Sequence, residues 1–527
     1  MHSKFLTNLA RKISWFQVAI ICLFLFALVL RFWGLSRFNT LVFDENIYVE
    51  QSNNYLTKTA FFSDHPPLSK YLIALGIWLD THNPFGQYSP PYPIAASQLN
   101  AFSYRWMNAF FGSFVPLIVS GIAYQLSHRR SYALLAGGLA AIDGFLLVDS
   151  RYALNNIYIV TFGLLGQWLL LLALASRVKR RRLYLALSGI FFGACLSIKW
   201  NGLGFLLGAY CMWGGIWLLQ KIQSLDLLNI PISIKNSIQN IGVEKSDKEF
   251  SSPLKNLSQL SWIDLLCDLG LIPAIIYFVS WAPHLHLFPN PGFWAIHQQS
   301  FAFHDQLGSS QDIHPYCSRW YTWPLMLRPV AYFFDQVTKE ETNQTIYYAV
   351  QGTGNPVLWW FSSAAILIVC LLLIKQIFSW SNATDSASKS PNSAIAFLAL
   401  ATVKRIRNWL KNVWPNRSTQ MAFSSPVHQF WIPFYLVSNY SANFLPWAKV
   451  SRCTFLYHYM SASIFAFLGL AWLVDRWLSS HELWQRLMGV TILFLVLAAF
   501  VFWLPIYLGL PLSPEAFQVR MWLKSWI

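Results

Sequence analysis

Long apolar runs alternate with polar or proline-containing breaks along almost the whole chain. A helix needs roughly 20 apolar residues to cross a hydrocarbon core of about 30 Å, and about eleven runs meet that requirement. This pattern predicts an all-α polytopic membrane protein with a single integral membrane domain over 1–527. The first run lacks an Ala-x-Ala cleavage site and is predicted to remain as a membrane helix. The approximate predicted spans are 15–35, 104–126, 132–149, 156–175, 183–199, 201–219, 263–283, 356–378, 429–447, 453–474 and 487–508.

Four longer polar segments separate these runs. Two of them, 36–103 and 284–355, are slightly acidic, and we predict that they face outward and contain short interfacial helices. The segment 36–103 is the predicted catalytic loop. The other two, 220–262 and 379–427, are rich in Ser, Asn and Lys and lack apolar periodicity, which is typical of insertions and not of folded domains. We predict that both are cytoplasmic.

Composition agrees with a membrane protein, because 55% of the residues are hydrophobic, 11% are charged and the mean hydropathy is +0.40. A net charge of +16 also suggests nucleic-acid binding, but here the basic residues cluster beside membrane helices and mark cytoplasmic segments. Their positions predict a cytoplasmic N-terminus and an outer C-terminus, and we expect a plasma-membrane location and no nucleic-acid partner. The clusters lie at 4–12, 129–130, 177–182, 404–411 and 476–486.

Motifs of several common enzyme and transporter classes are absent from the sequence. Seven cysteines are scattered, some of them inside apolar runs, so neither a disulfide framework nor a CxxC metal pattern is predicted. The sequence has no Walker loop, no GxGxxG after a strand and no HExxH. ATP-driven transport and soluble-nucleotide chemistry therefore lose their simplest support.

The first outer loop begins with two adjacent acids, Asp44 and Glu45. Neighbours on a helix point about 100° apart, so these two cannot act as a facing pair of carboxylates. One hypothesis makes Asp44 a general base that takes a proton from an acceptor hydroxyl. The alternative is that both acids only end the first membrane helix at the interface.

Asp64 and His65 precede two prolines that fit the first turn of a short interfacial helix over 68–79. Lys70 is the main charge of that helix. We favour a capping role for Asp64 and His65 over a metal site that also uses Asp44 and Glu45. No metal ligands are assigned, and assistance by a divalent ion stays open.

Three cations are predicted at the outer ends of later helices, namely Arg105, Arg151 and Lys199. Together they would form a ring suited to a phosphate at the bilayer surface. Each of them alone is more often a snorkelling anchor. Asp143, inside the third predicted helix, could orient one of these cations or make a helix-packing hydrogen bond.

Several motifs agree in order with one family. They are FDE, HPPLSK, YRWMNAFFG, DGFLLVDSR, CLSIKWNGL, HPYCSRWYTWPLMLRPVAYFF and LPWAKVSRCTFLYHY. The chain resembles the protein O-mannosyltransferase family, of the bacterial type. This resemblance implies a C-type glycosyltransferase fold and an enzyme that moves mannose from a polyprenyl-phosphate carrier to Ser or Thr hydroxyls of exported proteins.

The resemblance also implies residue roles. Asp44 matches the catalytic acid and Glu45 its neighbour, while Arg105 matches an essential arginine. His65 and Lys70 match the HPP motif, Lys199 a lysine after the fifth helix, and Arg328 the WPLxLRP motif. The chain departs from the family pattern at four positions, which concern acceptor recognition: Ser69, Asn155, Arg319 and Ser461.

The implied reaction inverts the anomeric carbon, with Asp44 as base and Arg105, Lys199 and Arg151 on the departing phosphate. It needs no cofactor beyond the lipid-linked donor. Three alternatives stay open: an enzyme of the same fold that glycosylates a glycolipid or cell-wall polymer, a transporter or flippase, and a scaffold subunit without catalysis. The expected partners are the donor, an exported polypeptide, membrane lipid and a possible second copy of the chain.

Overall fold

A computed structural model describes residues 14–82, 95–224, 253–306, 308, 314–340, 343–379 and 426–527. The predicted cytoplasmic insertions 220–262 and 379–427 lie largely outside the described residues, as do the basic clusters at 4–12 and 404–411. Their proposed boundaries and roles therefore stay predictions.

The first half of the described chain is helical. Its helices are α1 (Trp15–Phe32), α2 (Glu45–Thr57), α3 (Leu68–Thr81), α4 (Ala101–Ser127), α5 (Arg130–Ala141), α6 (Gly144–Asp149), α7 (Asn156–Leu174), α8 (Val178–Leu196) and α9 (Leu203–Ser224), with 3₁₀ turns at Ala96–Gln98 and Trp200–Gly202. Helix α3 confirms the short helix predicted after the two prolines.

The second half adds a small sheet to the helices. Its helices are α10 (Pro253–Ser258), α11 (Trp262–Leu266), α12 (Ile272–Ser280), α13 (Ala282–Leu287), α14 (Phe293–Gln306), α15 (Pro356–Ser379), α16 (Pro426–Phe444), α17 (Met460–Leu478), α18 (Leu483–Leu508) and α19 (Pro514–Gln518). Its strands are β1 (Val330–Lys339), β2 (Gln344–Gly352) and β3 (Pro511–Leu512). Further 3₁₀ turns lie at Trp320–Leu325, Leu445–Lys449, Leu456–Tyr459 and Lys524–Trp526.

Eight helices in the described part of the chain are long and apolar enough to cross a membrane. The predicted spans 132–149, 183–199 and 429–447 are not among them, although each contains helix. Helix α8 starts within the basic run 177–182, which lowers its hydropathy. Helix α16 carries buried asparagines at 439 and 443. The number of spans is thus not fixed at eleven by length and composition.

Asp143 divides the predicted span 132–149 into α5 and α6. Its side chain caps α6 by accepting a hydrogen bond from the Leu146 N–H at 2.9 Å. Its other oxygen accepts a hydrogen bond from Trp359 Nε1 at 2.7 Å. Asp143 therefore packs helices together, which was one of its two predicted roles. A helix of 12 residues such as α5 spans only about 18 Å and cannot cross a membrane alone.

Helix α17 lies at the centre of the bundle, because its most apolar stretch of 18 residues is completely buried. It packs against α5, α15, α16 and α18. Helix α1 is peripheral, because only 11% of its residues are buried, as expected of a helix that faces lipid.

The segment 284–355, called the second outer loop after its predicted side, contains a sheet that was not predicted from the sequence. Strands β1 and β2 pair antiparallel, with Phe334 opposite Ala349 and a bulge between Ala331 and Phe333. Strand β3 adds to the other side of β2, so β1 is an edge strand. This sheet places the second outer loop against the first, where the site residues are found.

Candidate active site

Asp44 stands at the start of α2, after the loop that follows α1. It occupies the N-cap position with φ −68° and ψ −3°, and its side chain makes no capping hydrogen bond. The preceding Phe43 has φ 51°, a left-handed conformation that is costly for a bulky residue. The Phe43 ring stacks on Tyr332 of β1, with ring centroids 4.9 Å apart. Packing against the second outer loop therefore supports the unusual turn that presents Asp44.

The environment of Asp44 suits a proton acceptor. Burial raises the pKa of its carboxyl group to about 6; Lys199 nearby lowers this pKa, and Asp64 raises it. Among the described residues, no hydrogen bond occupies the Asp44 carboxylate. A free carboxylate with this pKa is mostly ionised at neutral pH and still basic enough to accept a proton.

Glu45 is fully occupied by protein contacts. Its buried carboxylate accepts hydrogen bonds from Arg105 Nε at 2.8 Å and Arg105 Nη2 at 2.7 Å. The backbone N–H groups of Val42 and Ala153 complete its contacts at 2.9 and 2.8 Å. Glu45 therefore ties the loop before α2 to α4 and to the chain after α6, and it has no free lone pair pointing at a substrate.

Arg105 uses its remaining donors on the first outer loop. Besides Glu45, its guanidinium donates to the backbone carbonyls of Leu35 at 3.2 Å, Phe38 at 2.8 Å and Thr40 at 2.8 Å. These contacts account for all five N–H groups of an arginine. These contacts hold the first outer loop in place, and the phosphate contact predicted for Arg105 stays a prediction.

Arg151 directs its Nη donors to the end of α1, while its buried Nε has no hydrogen-bond partner among the described residues. Its Nη1 donates to the carbonyls of Leu30, Arg31 and Trp33 at 2.9, 3.1 and 2.8 Å, and its Nη2 donates to Gly34 at 3.2 Å. A cation on the last carbonyls of a helix satisfies groups that the helix leaves unpaired. Arg151 therefore caps α1, and the predicted ring of three cations stays a prediction.

Lys70 is buried beneath the loop that contains the HPP motif. Its Nζ donates to Ser63 Oγ at 2.6 Å and to the His65 carbonyl at 3.0 Å, and it lies 3.7 Å from Asp64 Oδ1. Burial lowers the pKa of Lys70 to about 8. Because its donors are directed into the loop, Lys70 shapes the motif from within.

Asp64 and His65 form a second polar pair beside Lys70. His65 Nε2 lies 3.5 Å from Asp64 Oδ2, and the His65 ring stacks on His304 of α14. Burial opposes ionisation of Asp64, but the surrounding histidines and lysines hold its pKa below its ordinary value. The capping role predicted for this pair is wrong, because Pro67 is the N-cap of α3 and no side chain bonds there.

Lys199 lies where α8 ends and the turn Trp200–Gly202 begins. It is almost fully buried and its Nζ lies 5.4 Å from the ring centroid of Tyr457. It interacts electrostatically with Asp44 and Asp64. The backbone carbonyl of Ser197 also accepts a hydrogen bond from the Leu68 N–H at 3.0 Å, which anchors the HPP loop to this turn. Of the three cations predicted to bind phosphate, Lys199 is the one whose charge acts on Asp44.

Arg452 joins this cluster, although the sequence analysis gave it no role. It is partly buried, and its positive charge acts on both Lys199 and His458. Its Nη1 donates a hydrogen bond to the Cys453 carbonyl at 3.3 Å. Two neighbouring cations, neither of which forms an ion pair with a described residue, suit an anionic ligand.

A disulfide between Cys317 and Cys453 holds the Arg452 segment. This finding corrects the prediction of no disulfide framework. The paired cysteines are 136 positions apart, so their spacing gave no pattern to recognise. Beside the bridge, the Ser318 N–H donates to the Thr454 carbonyl at 2.8 Å. The second outer loop is therefore fastened covalently to the segment that carries Arg452.

Arg328 acts in the second outer loop itself. Its Nε donates to the Pro315 carbonyl at 2.9 Å and its Nη1 donates to the Ser525 carbonyl at 2.8 Å. It thereby links this loop to the C-terminal segment. These contacts give Arg328 a positioning role within the loop.

Asp149 and Tyr457 are two further polar residues of the site that the sequence analysis did not single out. Asp149 Oδ1 accepts hydrogen bonds from Tyr332 at 3.0 Å and from Asn156 at 3.1 Å. Asp149 and Tyr457 both interact electrostatically with Asp44. Both lie inside motifs quoted above, but only the fold shows that they approach Asp44.

The four residues weighed as a metal site do not form one set. Glu45 is engaged with Arg105, whereas Asp64 and His65 are engaged with each other. No group of three or more His, Cys, Asp or Glu side chains close enough for a metal ion occurs in the described ranges.

Comparisons with known proteins agree with this architecture. The family model for dolichyl-phosphate-mannose-protein mannosyltransferase matches residues 21–288, and the model for the C-terminal four TMM region of protein-O-mannosyltransferase matches 290–416 and 393–526. The polyprenol-phosphate-mannose–protein mannosyltransferase of Mycolicibacterium smegmatis is 24% identical, with 98% of this chain and 94% of the relative covered. Its counterpart in Mycobacterium tuberculosis is 23% identical, with 98% and 93% covered.

Among solved structures, the S. cerevisiae protein O-mannosyltransferase Pmt1-Pmt2 complex bound to the sugar donor is similar in fold, with a TM-score of 0.68 at 15% identity. The match covers 98% of this chain and 93% of that chain. This likeness confirms the predicted C-type glycosyltransferase fold of a multi-pass membrane protein. Since the first family model alone matches more than half of the residues, the chain belongs to the dolichyl-phosphate-mannose-protein mannosyltransferase family.

Proposed function

We propose that this chain is an inverting mannosyltransferase that moves mannose from a polyprenyl phosphate to Ser or Thr hydroxyls of exported proteins. The relatives named for that donor and for protein acceptors match nearly the whole chain. The observation that carries the proposal is the unbonded Asp44 carboxylate beside Lys199. Arg452 adds a second positive charge that acts on Lys199.

In the proposed reaction, the Asp44 carboxylate takes the proton of the acceptor hydroxyl. The hydroxyl oxygen then forms a bond to the anomeric carbon from the face opposite the phosphate. The bond between that carbon and the phosphate oxygen breaks, and its electron pair leaves with the polyprenyl phosphate. Lys199 and Arg452 neutralise the charge that develops on the phosphate, so this leaving group needs no general acid.

The other predicted site residues act through position in this proposal. Glu45 and Arg105 fix the turn that presents Asp44, Arg151 fixes the end of α1, and Lys70 fixes the HPP loop. Burial lowers the pKa of His65 well below its ordinary value. A neutral imidazole at neutral pH positions the loop and does not supply a proton.

We further propose that the N-terminus is cytoplasmic and that the site faces outward, as the basic clusters predict. A cysteine in place of the exposed Ala60, between α2 and α3, should react with a membrane-impermeant maleimide in intact cells. A cysteine in place of the exposed His481, between α17 and α18, should react only after the membrane is opened. Labelling of the parent protein gives the background from its own cysteines. The reverse pattern of labelling would overturn this topology.

The central experiment supplies washed membranes with labelled polyprenyl-phosphate mannose and a Ser/Thr peptide. Asp44→Asn should reduce transfer by about 100-fold or more, since general-base catalysis contributes about that much, while donor binding persists. Asp80→Asn, a partly exposed acid of α3, is the control. Transfer by Asp44→Asn at the parent rate would remove Asp44 as the base. Transfer to glycolipid but to no peptide would favour the alternative acceptor class.

A further inference from the structure

Strand β1 presents an unpaired edge beside the site. It pairs with β2 on one side only, while β3 pairs with the far side of β2. From Phe334 to Lys339 its residues are exposed, whereas the corresponding end of β2 is better covered. An edge strand directs alternate N–H and C=O groups away from its sheet, and these groups are a template for another strand.

The free edge is not covered by other backbone in the described residues. No backbone hydrogen bond outside the sheet involves any residue of Val330–Lys339. The Gln336 N–H instead contacts the carboxylate of its own neighbour, with Asp335 Oδ1 at 2.8 Å. This local bond gives the amide of Gln336 a partner on its own strand.

The same strand begins at the reacting centre. Tyr332 donates a hydrogen bond to Asp149 and stacks on Phe43, the residue directly before Asp44. From Tyr332 the strand runs outward to Lys339, a length of roughly 24 Å at 3.4 Å per residue. An extended chain lying along this edge would therefore be led towards Asp44.

We infer that the acceptor polypeptide binds as an added strand on the free edge of β1, which places its Ser or Thr beside Asp44. This inference rests on the proposed function, because it assigns the binding mode of the same acceptor. Strand addition uses the main chain for affinity and leaves alternate side chains outside the contact. Such a surface accepts many sequences around one hydroxyl residue.

The test uses acceptor peptides in which single backbone nitrogens are methylated in turn. On one side of the acceptor residue, methylation of every second nitrogen should raise KM for the peptide about fivefold to tenfold, the cost of about one hydrogen bond. The intervening positions should change KM less than about twofold, because their N–H groups point away from β1. An effect without alternation, or no effect, would overturn strand addition.

A matched pair of variants tests the protein side. Gln336→Pro removes the edge N–H and places a ring on the free edge, whereas Gln336→Ala keeps the N–H. Proline is tolerated on edge strands, so KM for the lipid donor should stay unchanged in both variants. KM for the peptide should rise about tenfold in Gln336→Pro alone. Equal peptide KM values in the two variants would contradict the inference.

The outcomes separate the two proposals. If no unmethylated peptide receives mannose while a lipid acceptor does, the proposed function fails. If the unmethylated peptide is glycosylated but methylation shows no alternation, only strand addition fails. If Gln336→Pro changes the oligomeric state in detergent and leaves peptide KM unaltered, the edge binds a second copy of the chain, and strand addition by the acceptor is overturned.

Discussion

The Arg105 guanidinium holds both carboxylate oxygens of Glu45, at 2.8 and 2.7 Å, in an almost completely buried pair. The pair joins α4 to the start of α2, one residue from Asp44. The two adjacent acids differ in their contacts. Glu45 is bonded to Arg105, whereas no hydrogen bond to a described residue occupies the Asp44 carboxylate. In the proposed reaction, Asp44 is the base and Glu45 supports the turn that presents it.

Breaking this pair should destabilise the protein. Glu45→Gln leaves a buried guanidinium without its counter-charge, which costs about 3–5 kcal/mol in free energy of unfolding. We expect a lower midpoint of thermal unfolding in detergent and a loss of transfer, because the turn before Asp44 loosens. Glu50→Gln, an exposed acid on the same helix, is the control and should behave like the parent. An unchanged unfolding midpoint in Glu45→Gln would contradict the structural role.

Transfer should depend on pH through Asp44. Burial raises the pKa of this group to about 6, and a base must be deprotonated, so kcat/KM for the acceptor should rise with pH and level off above pH 7. Below the midpoint it should fall about tenfold for each pH unit. A profile that is flat between pH 5 and pH 7 would remove the assignment.

Two neighbouring charges should move that midpoint in opposite directions. Lys199 lowers the pKa of Asp44, so Lys199→Gln should shift the midpoint to higher pH. Asp64 raises the pKa of Asp44, so Asp64→Asn should shift the midpoint to lower pH. The sign of each shift is independent of the absolute rate, which these variants also lower. Shifts of the same sign would indicate that another group controls the profile.

Lys199 and Arg452 should act on the lipid donor. A hydrogen bond to a charged group contributes about 1.5–3 kcal/mol, so Lys199→Gln or Arg452→Gln should lower kcat/KM for the donor roughly tenfold to 150-fold. Lys449→Gln removes an exposed cation close to Arg452 in the chain and is the control. If Arg452→Gln and Lys449→Gln behave alike, the charge of Arg452 is not part of the phosphate site.

The Cys317–Cys453 bridge should support both stability and donor use. Its removal costs roughly 2–5 kcal/mol and frees the segment that carries Arg452. We expect Cys317→Ser to unfold at lower temperature and to show a higher KM for the donor, and a reducing agent should do the same to the parent protein. Cys267→Ser, at an exposed free cysteine, is the control. If a reducing agent still lowers the unfolding temperature of Cys317→Ser, its effect on the parent protein does not come from this bridge.

The membrane class and the short helix at Leu68 were predicted correctly because they depend on local patterns, whereas the catalytic role of the segment 36–103 stays a prediction. Apolar run length, two adjacent prolines and two adjacent acids can all be read from neighbouring residues. The free Asp44 carboxylate and the nearby Lys199 also agree with the sequence-based hypothesis, although their roles stay predictions.

The contacts of Arg105 and Arg151 could not all be read from the sequence, because three partners of Arg105 and all those of Arg151 are backbone carbonyls. Every residue offers a carbonyl, so no side-chain pattern marks an arginine that will bind one. The cysteine pair and Arg452 escaped notice because the contacts join segments that are distant in the chain. Asp143 was placed inside a helix because the run around it is otherwise apolar. Its capping bond to the Leu146 N–H, which separates α5 from α6, cannot be read from that run.

The stack of Phe43 on Tyr332 has a consequence for biogenesis. The two rings come from opposite halves of the polypeptide, and the second is made long after the first has entered the bilayer. A nascent chain that ends before the β1–β2 hairpin therefore lacks the support for its own catalytic turn. The order of synthesis therefore delays formation of this turn until the later half of the chain has been made.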